Sequence, residues 1–397
     1  MAQPSRQTGL LVGAAIGDAL GAPFEFQPAG RYKQRFPQTV LGGTGELIGG
    51  GGFNWAPGEF TDDTQMGIVL AESLLSNDLQ LNSDDLFSSW RTWANDATDV
   101  GNTTRHALSF EDWRDVKHRN PAMTAANGAL MRAFPLALLE VDEDTRRTWT
   151  LQQAALTHAH PDAGFGAWLG VAMMRAAIEG RDAYVALESE LNRLPAESRD
   201  KFAPLLAKTW SPNAEMLGNG SVWGCLACAV WAVRGATSYE DAVVRAVNVG
   251  DDADTVACVA GAIAGAMFTE QAIPSRWLAY VHGTALGNTY RLEDLENVAR
   301  SLAGVSPPRP QKEGVVGPIE VFPNLYAANR AGAETVPADW AVISLCRTEG
   351  FFVGHGVRRQ SYILDNSHGN PNLAAVVADV VKSIDELLAE GRQVVVH

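Results

Sequence analysis

The sequence of 397 residues has few cysteines, no long hydrophobic run and no excess of basic residues. Its four cysteines are too few for a disulfide framework in so long a chain, which suits a reducing compartment. The longest apolar run, Val256–Phe268, is well short of the ~20 residues that span a bilayer. The 31 Lys and Arg residues against 46 Asp and Glu residues give a net charge of −15, which repels nucleic-acid phosphates. We therefore expect a cytoplasmic protein that does not enter membranes, and nucleic acid is disfavoured as its main partner.

Helical patterns rich in Ala, Leu, Val and Gly fill the chain from about Gly9 to Ala303. Their many small side chains allow helix backbones to approach closely, and strand-like alternation is scarce. The sequence therefore predicts a mainly α protein, with an all-α domain over residues 8–305. The clearest predicted helices are Met66–Leu75, Gly164–Ile178, Ser221–Val233 and Asp254–Met267.

A proline-rich stretch marks a change in composition after this domain. Residues 306–318 contain four prolines and several charges, which predicts a linker. Beyond it, the segments Ile319–Phe322, Trp340–Leu345 and Gln393–Val396 are predicted as short buried strands, and Leu373–Leu388 as a helix. Residues 319–397 are therefore expected to form a partial α/β segment.

Two acidic motifs far apart in the sequence carry the strongest chemical signal: Thr61–Thr64 (TDDT) and Asp251–Thr255 (DDADT), each at the start of a predicted helix. Threonine and aspartate are favoured at helix N-termini, so capping explains either motif alone. Together they supply more carboxylates than capping needs, and such groups repel one another unless a cation neutralises them. Oxygen ligands without His or Cys favour Mg²⁺, Mn²⁺ or Ca²⁺ over zinc. If the two helix starts meet in space, they form a dinuclear site.

A third acidic element is the loop that presents Glu25 between Phe24 and Phe26, directly after a Gly/Pro turn. The residues alone leave two interpretations of this carboxylate open. It is either an ordinary surface residue or a group that swings over a metal site.

Six motifs follow one another along the chain: GDALGAPFEF at Gly17–Phe26, WAPGEFTDDT at Trp55–Thr64, DVGNTTR at Asp99–Arg105, NGALMR at Asn127–Arg132, THAHPDA at Thr157–Ala163 and GDDADT at Gly250–Thr255. This series resembles the ADP-ribosylglycohydrolase family, and particularly its dinitrogenase-reductase-activating glycohydrolase branch, over roughly residues 8–303. The resemblance implies an all-α helical bundle with two divalent cations, Mg²⁺ or Mn²⁺, in a cleft. It also implies an enzyme that removes ADP-ribose from modified side chains.

The resemblance places the metal ligands in the two acidic motifs. Asp254 corresponds to the bridging ligand, and Glu25 to a mobile glutamate that approaches the metals or the substrate ribose. Glu25, Asp62 and Asp254 are accordingly the expected catalytic residues. Asp251 stands where the family usually has glycine, which puts a further carboxylate beside the site. The expected metal ligands are Thr61, Asp62, Asp63, Asp252, Asp254 and Thr255.

The same resemblance implies a set of substrate-binding residues. Asp99 matches an aspartate that meets the guanidinium of ADP-ribosyl-arginine, because a carboxylate can accept paired hydrogen bonds from that group; otherwise Asp99 is a turn residue. His158 matches a histidine that lines the ADP-ribose cleft. Asn127, Gly128 and Ala129 match a loop and helix start whose backbone N–H groups cradle a diphosphate. The family often has serine where this chain has Ala129.

The last segment contains IEVFPNLYAAN, ADWAVISLCRTE, YILDNSHGN and a final VVVH. This series resembles the first half of a dual-specificity-type phosphatase, in which such a strand leads into a Cys-x5-Arg loop whose cysteine is the nucleophile. The chain ends at His397, before that loop. Asp365 falls where that family has its general acid, and Cys346 in a predicted buried strand is no substitute for the nucleophile. We expect the segment to lack cysteine-dependent phosphatase activity and the chain to be truncated from a longer protein.

Together these observations predict a metal-dependent hydrolase that cleaves the N-glycosidic bond of ADP-ribosylated protein, with ADP-ribosyl-arginine as the leading substrate. Its partner would be such a protein or a small molecule that contains ADP-ribose. The alternatives are release from another acceptor (serine, nucleic acid or a small molecule), a catalytically silent ADP-ribose-binding scaffold, and a dimetal phosphatase. The intact acidic motifs disfavour the scaffold, and the lack of His-rich ligation disfavours the phosphatase.

Overall fold

The computed structural model describes residues 4–40, 44–118, 125–212, 218–278, 280–305, 314–345, 357–360 and 373–397. The first three hundred residues are mainly helical, as predicted, and one short hairpin follows the long helices. None of the helices described is long and apolar enough to cross a membrane. The helices of this part are α1 Pro4–Gly21, α2 Arg31–Arg35, α3 Asp62–Ser76, α4 Ser83–Ala94, α5 Asn102–Leu108, α6 Gly128–Met131, α7 Glu143–Ala155, α8 Pro161–Ile178, α9 Ala183–Asn192, α10 Ala196–Leu206, α11 Val222–Arg234, α12 Tyr239–Val247, α13 Ala253–Phe268, α14 Ser275–Leu278 and α15 Leu292–Leu302.

The hairpin corrects the expectation of a purely helical domain. Strands β1 His282–Ala285 and β2 Asn288–Arg291 pair antiparallel. Leu286 and Gly287 connect them with φ of 49° and 76°, as a tight hairpin turn requires. Leucine is rare in the left-handed region, so the sequence carried little sign of this turn. The backbone N–H of Phe60 donates to His282 O at 2.9 Å, so the hairpin holds the segment that leads into α3.

The long helices α1 and α13 pack against each other along a seam of glycine and alanine. Helix pairs approach this closely only where side chains are absent, because a Cβ added to any of the four α1 glycines would overlap the backbone of α13. The seam therefore places the C-terminal end of α1 directly against the first turn of α13. The facing pairs are Gly9 with Gly265, Gly13 with Gly261, Gly17 with Ala257, and Gly21 with Asp254.

The segment after the proline-rich stretch forms a five-stranded sheet with a separate core. The elements are β3 Ile319–Phe322, β4 Leu325–Ala327, α16 Arg330–Ala333, β5 Ala341–Ser344, β6 Val357–Gln360, α17 Leu373–Ala389 and β7 Val394–Val396. The strands are arranged in the order β3-β4-β7-β5-β6, with β3 antiparallel to β4 and the other pairs parallel. The residues of β5 are buried, as predicted, and α17 matches the predicted helix.

The prediction that Ile319–Phe322 is a buried strand is wrong. This segment is β3, all four of its residues are exposed, and Phe322 is 62% exposed. An apolar run alone does not distinguish a central strand from an edge strand, and β3 lies at the edge of the sheet. Cys346 and Asp365, which the phosphatase resemblance singled out, lie outside the described residues.

Candidate active site

A buried aspartate of α1 organises the start of α3. Asp18 is fully buried, and its carboxylate accepts hydrogen bonds from the backbone N–H groups of Thr61 and Thr64 at 3.0 Å and from Thr64 Oγ1 at 2.6 Å. Helix α3 therefore begins at Asp62, four residues before the predicted helix Met66–Leu75, with Thr61 as its N-cap. Asp18 satisfies N–H groups that a helix start leaves without partners. Asp62 and Asp63 are thereby released from capping α3 and held in its first turn.

The two acidic motifs meet in space, as the dinuclear-site prediction requires. Thr255 Oγ1 in the first turn of α13 donates to Asp63 Oδ1 in the first turn of α3 at 3.3 Å. Asp254 is 4% exposed and lies against Gly21 of α1. The glycine seam thus brings the carboxylates of α3 and α13 together at the end of α1.

Two asparagines hold the second acidic motif in place. Asn127 Nδ2 donates to Asp252 Oδ2 at 2.9 Å and to Asn219 O at 3.1 Å. Asn219 Oδ1 accepts from the backbone N–H of Asp252 at 3.1 Å, and its Nδ2 donates to Gly250 O at 2.8 Å. The loop before α13 is therefore fixed by side chains from two other parts of the chain.

The turn that carries Glu25 is attached to this same loop. The N–H of Phe26 donates to Asp251 O at 2.6 Å, and the N–H of Asp251 donates to Gln27 O at 2.8 Å. Asp251 is exposed and has a φ of 55°, a left-handed conformation that aspartate tolerates better than most residues and glycine best of all. The carboxylate of Asp251 therefore faces solvent, while Glu25 is only 8% exposed.

Burial raises the pKa of each carboxyl in the group formed by Asp18, Glu25, Asp62, Asp63, Asp252 and Asp254. Neighbouring carboxylates add to this effect at all of them except Asp18. The pKa of Glu25 is raised to about 8 by burial and then by Asp99, Asp252 and Asp18. The pKa of Asp18 rises only to about 6, because its hydrogen bonds from Thr61 and Thr64 oppose the effect of burial. The pKa values of three further carboxyls are raised well above their usual range, those of Asp62, Asp63 and Asp254.

Two carboxylate oxygens in the group have no hydrogen-bond partner, Glu25 Oε2 and Asp63 Oδ2, although both are buried. A buried oxygen without a partner costs stability and is a natural ligand for a cation. Among the described residues, no three His, Cys, Asp or Glu side chains lie in the compact arrangement of a preformed metal site. The acidic cluster (Asp18, Glu25, Asp62, Asp63, Asp252 and Asp254) is therefore close enough for strong repulsion, but its side chains do not converge on one point.

Asp99 lies on the loop before α5, half-buried, and faces the acidic cluster. Its charge contributes to the raised pKa values of Glu25 and Asp62, and burial raises its own pKa. A hydrogen bond from the backbone of Val100, and then the charge of Arg105, oppose that rise in pKa. Asp99 is thus more than an isolated turn residue, because its carboxylate shares the electrostatic environment of the predicted catalytic residues.

The segment Asn127–Ala129 and the side chain of His158 lie together on one side of the acidic residues and form a wall of the candidate site. His158 is buried, and its ring edge contacts Gly128: a Cβ at that position would lie 3.1 Å from Cε1 and 3.2 Å from Nε2. The side chain of Ala129 packs with Ala154 and Ala163 in a small apolar cluster. Ala129 can therefore contribute only backbone atoms to ligand binding, and Asn127 ties this wall to Asp252.

Sequence reasoning missed Asp18 and Asn219. Asp18 left one usable sign, because a single carboxylate inside an otherwise apolar helix is rarely buried without a partner. Asn219 left none, because Gly-Asn-Gly is typical of an ordinary turn. The predicted site residues that the structure brings together around the helix starts are Glu25, Thr61, Asp62, Asp63, Asp99, Asn127, Asp252, Asp254 and Thr255.

This fold and site define a class of helical protein in which a buried carboxylate cluster lies where two helix N-termini meet. Comparison with known proteins identifies the family within that class to which the chain belongs. The sequence model of the family described as ADP-ribosylglycohydrolase matches residues 2–311. The chain therefore belongs to the ADP-ribosylglycohydrolase family and is an ADP-ribosyl glycohydrolase enzyme, as the sequence analysis predicted.

Two curated relatives and one solved structure illustrate the similarity. The chain is 32% identical over 287 residues to "ADP-ribosylarginine hydrolase Tri1" of Serratia proteamaculans, covering 68% of this chain and 73% of that protein. It is 30% identical over 283 residues to "ADP-ribosyl-[dinitrogen reductase] glycohydrolase" of Rhodospirillum rubrum, covering 69% of this chain and 89% of that protein. A solved structure described as "ADP-ribosylglycohydrolase-related protein complex" superposes with a TM-score of 0.63 at 30% identity, covering 76% of this chain and 98% of that chain.

Proposed function

We propose that this protein is a divalent-cation-dependent hydrolase that releases ADP-ribose from ADP-ribosylated arginine in proteins. The observation that carries the proposal is the acidic cluster at the meeting point of α3 and α13. The carboxyls of this cluster are buried and have raised pKa values, and some of their oxygens have no hydrogen-bond partner. Membership of the ADP-ribosylglycohydrolase family supports the same function. One similar relative is itself named an ADP-ribosylarginine hydrolase, which supports arginine as the acceptor.

The donor set of the cluster fits two hard cations. All of its side-chain donors are carboxylate or hydroxyl oxygens, which suit Mg²⁺ or Mn²⁺. Asp254, in the first turn of α13, would be the ligand that both cations share in this proposal. Cations bound here would supply positive charge that polarises the ribose hydroxyls and a water molecule. The residues that would hold them are Thr61, Asp62, Asp63, Asp252, Asp254 and Thr255.

The side chains of this chain then have separate tasks. Asp99 accepts hydrogen bonds from the guanidine group, which leaves as the C1″–N bond breaks through an oxocarbenium-like state. In its ionised form Glu25 takes a proton from the attacking water, whose oxygen forms the new bond to C1″, and that proton then passes to the departing guanidine nitrogen. Asp18 does not touch the substrate in this proposal. It maintains the start of α3, where Asp62 and Asp63 lie.

Other acceptors, such as serine, a nucleic-acid end or a small molecule, make up the second candidate. Asp99 favours arginine over them, because a half-buried carboxylate binds a guanidinium more strongly than it binds a neutral leaving group. A silent ADP-ribose-binding scaffold is a weaker candidate, because it has no need of a repulsive carboxylate cluster. The proposal also includes residues 8–305 as the catalytic domain. It further includes a cytoplasmic location for the protein.

The C-terminal segment adds a smaller proposal. Parallel strands β4, β7, β5 and β6 with the packed helix α17 are compatible with the α/β plan of a dual-specificity-type phosphatase. The VVVH strand, whose residues form β7, supports this assignment. We propose no catalytic activity for the segment.

The test is ADP-ribose release from ADP-ribosylated arginine, serine and nucleic-acid substrates, with and without Mg²⁺ or Mn²⁺. We expect release from arginine only in the presence of the cation, and Asp99→Asn should raise KM for that substrate by about tenfold through loss of a charge-assisted hydrogen bond. Asp96→Asn, an exposed aspartate three residues away, is the matched control. Release from serine alone would contradict the role of Asp99, and full cation-dependent activity of Asp254→Asn would contradict the metal site.

A further inference from the structure

A buried arginine lies behind the wall formed by Gly128 and His158. The guanidinium of Arg132 is fully buried and lies 3.8 Å from the ring centroid of Trp90. Its Nε donates to Gln153 Oε1 at 3.0 Å, and its Nη2 donates to Thr157 Oγ1 at 2.7 Å and to Gln153 O at 3.1 Å. Among the described residues no salt bridge to Arg132 is found, although the charge of Asp62 opposes the lowering of its pKa by burial. A buried guanidinium whose hydrogen bonds all go to neutral groups costs stability. We therefore asked what Arg132 does for the residues that it contacts.

The bond from Arg132 fixes the direction of the Thr157 hydroxyl. Because guanidinium can only donate, Thr157 Oγ1 must accept from it. The hydroxyl proton then needs an acceptor, and the other partner of Oγ1 in the described residues is His158 Nδ1 at 2.8 Å. The Thr157 hydroxyl therefore donates to Nδ1.

An imidazole nitrogen that accepts a hydrogen bond carries no proton. Neutral His158 must consequently carry its proton on Nε2. Burial and the charge of Arg132 lower the pKa of His158 to about 3, so the ring is neutral over the ordinary pH range. Nε2 is buried, has no hydrogen-bond partner and lies beside Gly128. A donor of known direction is thus left unused at the wall that also holds Asp252 through Asn127.

We propose that Arg132 and Thr157 are positioning residues that hold His158 as the Nε2–H tautomer, so that Nε2 donates a hydrogen bond to a phosphate oxygen of ADP-ribose bound at Gly128. The identity of the ligand rests on the proposed function, whereas the tautomer does not. Gly128 has a direct part in this arrangement, because any side chain there would push against the ring edge that carries the donor.

The first test is ¹⁵N NMR of the full chain labelled at histidine, with the His158 signals assigned through His158→Gln. We expect Nδ1 without a proton and Nε2 with one, unchanged between pH 5 and pH 8, and a shift of the Nε2 signal on addition of ADP-ribose. A wild-type protein with the proton on Nδ1 would overturn the proposal, and so would an Nε2 signal that ADP-ribose leaves unchanged while binding is measured. The measurement needs no variant that might fail to fold.

The second test removes the hydroxyl that orients the ring. Thr157→Val should weaken ADP-ribose binding by about tenfold in calorimetry and abolish the single-tautomer signal, because a hydrogen bond of ordinary strength is lost. Thr157→Ser should restore both properties. Thr150→Val is the matched control, because Thr150 is equally buried and its hydroxyl donates to Arg146 O at 2.8 Å, away from His158.

The outcomes separate this proposal from the proposed function. Thr157→Val that binds ADP-ribose as wild type does would overturn the positioning role. If wild-type protein binds no ADP-ribose and releases none from any substrate, the proposed function and the ligand assignment fail together. The tautomer of His158 is read out by NMR in either case.

Discussion

At the scale of single residues, burial and mutual repulsion disfavour the ionised forms of the carboxyls between α3 and α13. Asp63 is 2% exposed, its Oδ2 has no partner, and its pKa is raised first by burial and then by Asp18 and Asp254. Folding alone would not favour this arrangement, since a buried unsatisfied charge is among the costliest features of a protein interior. A cluster of buried carboxyls with raised pKa values is typical of a site arranged for a ligand.

Asp63→Asn should therefore stabilise the ion-free protein and remove its function. The substitution keeps the shape and the Oδ1 acceptor of Thr255 while it removes one of several repelling charges. We expect the free energy of unfolding without added cation to increase by roughly 1 kcal/mol, at the low end of the cost of leaving a buried polar group unsatisfied. Urea unfolding in the presence of a chelator measures it, together with the loss of ADP-ribose release.

The control for this prediction is Asp200→Asn, since the Asp200 side chain is 78% exposed and lies away from the cluster. Its stability should stay within a few tenths of a kcal/mol of wild type, as for most surface changes. A destabilised Asp63→Asn protein would show that the carboxylate contributes a favourable interaction instead of repulsion.

At the scale of secondary structure, the glycine seam between α1 and α13 determines where the site forms. Gly9, Gly13, Gly17 and Gly21 recur every four residues and so lie on one face of α1. Because the backbones touch, Asp18 of α1 reaches the start of α3, and Asp254 lies at the end of α1. The distance between α1 and α13 therefore determines how far Asp18 lies from Asp254.

Gly17→Ala should destabilise the protein by about 3 kcal/mol, at the upper end for overpacking, because the new Cβ would meet the carbonyl of Ala257 and backbone cannot move aside. Thermal and urea unfolding measure the effect, and the residual folded protein should bind cations more weakly. Gly314→Ala serves as the comparison, since a Cβ there meets nothing within 4 Å. Equal stability of the two variants would mean that the seam tolerates separation.

The elements also show what the sequence could and could not predict. Helices and their acidic starts are local patterns, so Thr61–Thr64 and Asp251–Thr255 could be read directly as helix N-termini. The hairpin β1–β2 was missed because its turn contains Leu286 in place of a typical turn residue. Asp18 and Asn219 form hydrogen bonds with residues far away in the chain, and so does Arg132 with Thr157. No local sequence pattern predicts such partners.

At the scale of the whole molecule, the net charge of −15 is concentrated in part at one buried place. The acidic cluster lies within the large core of residues 4–305, whereas the C-terminal sheet has small cores of its own. Two divalent cations would add about four positive charges to the cluster. An acidic protein could then accept the negatively charged diphosphate of ADP-ribose, which its net charge alone would repel.

Mg²⁺ should consequently stabilise the folded protein by more than ionic strength explains. A ligand that binds only the folded state stabilises it by about 2.7 kcal/mol at one hundred times its Kd, and the effect grows with concentration. Thermal unfolding measured against rising MgCl₂ tests this, with NaCl at matched ionic strength as the control because simple screening also relieves the repulsion of an acidic protein. Asp63→Asn should lose most of the specific increment and keep the screening effect. If MgCl₂ and NaCl raise Tm equally at matched ionic strength, and MnCl₂ does the same, the acidic cluster does not bind divalent cations in the folded protein.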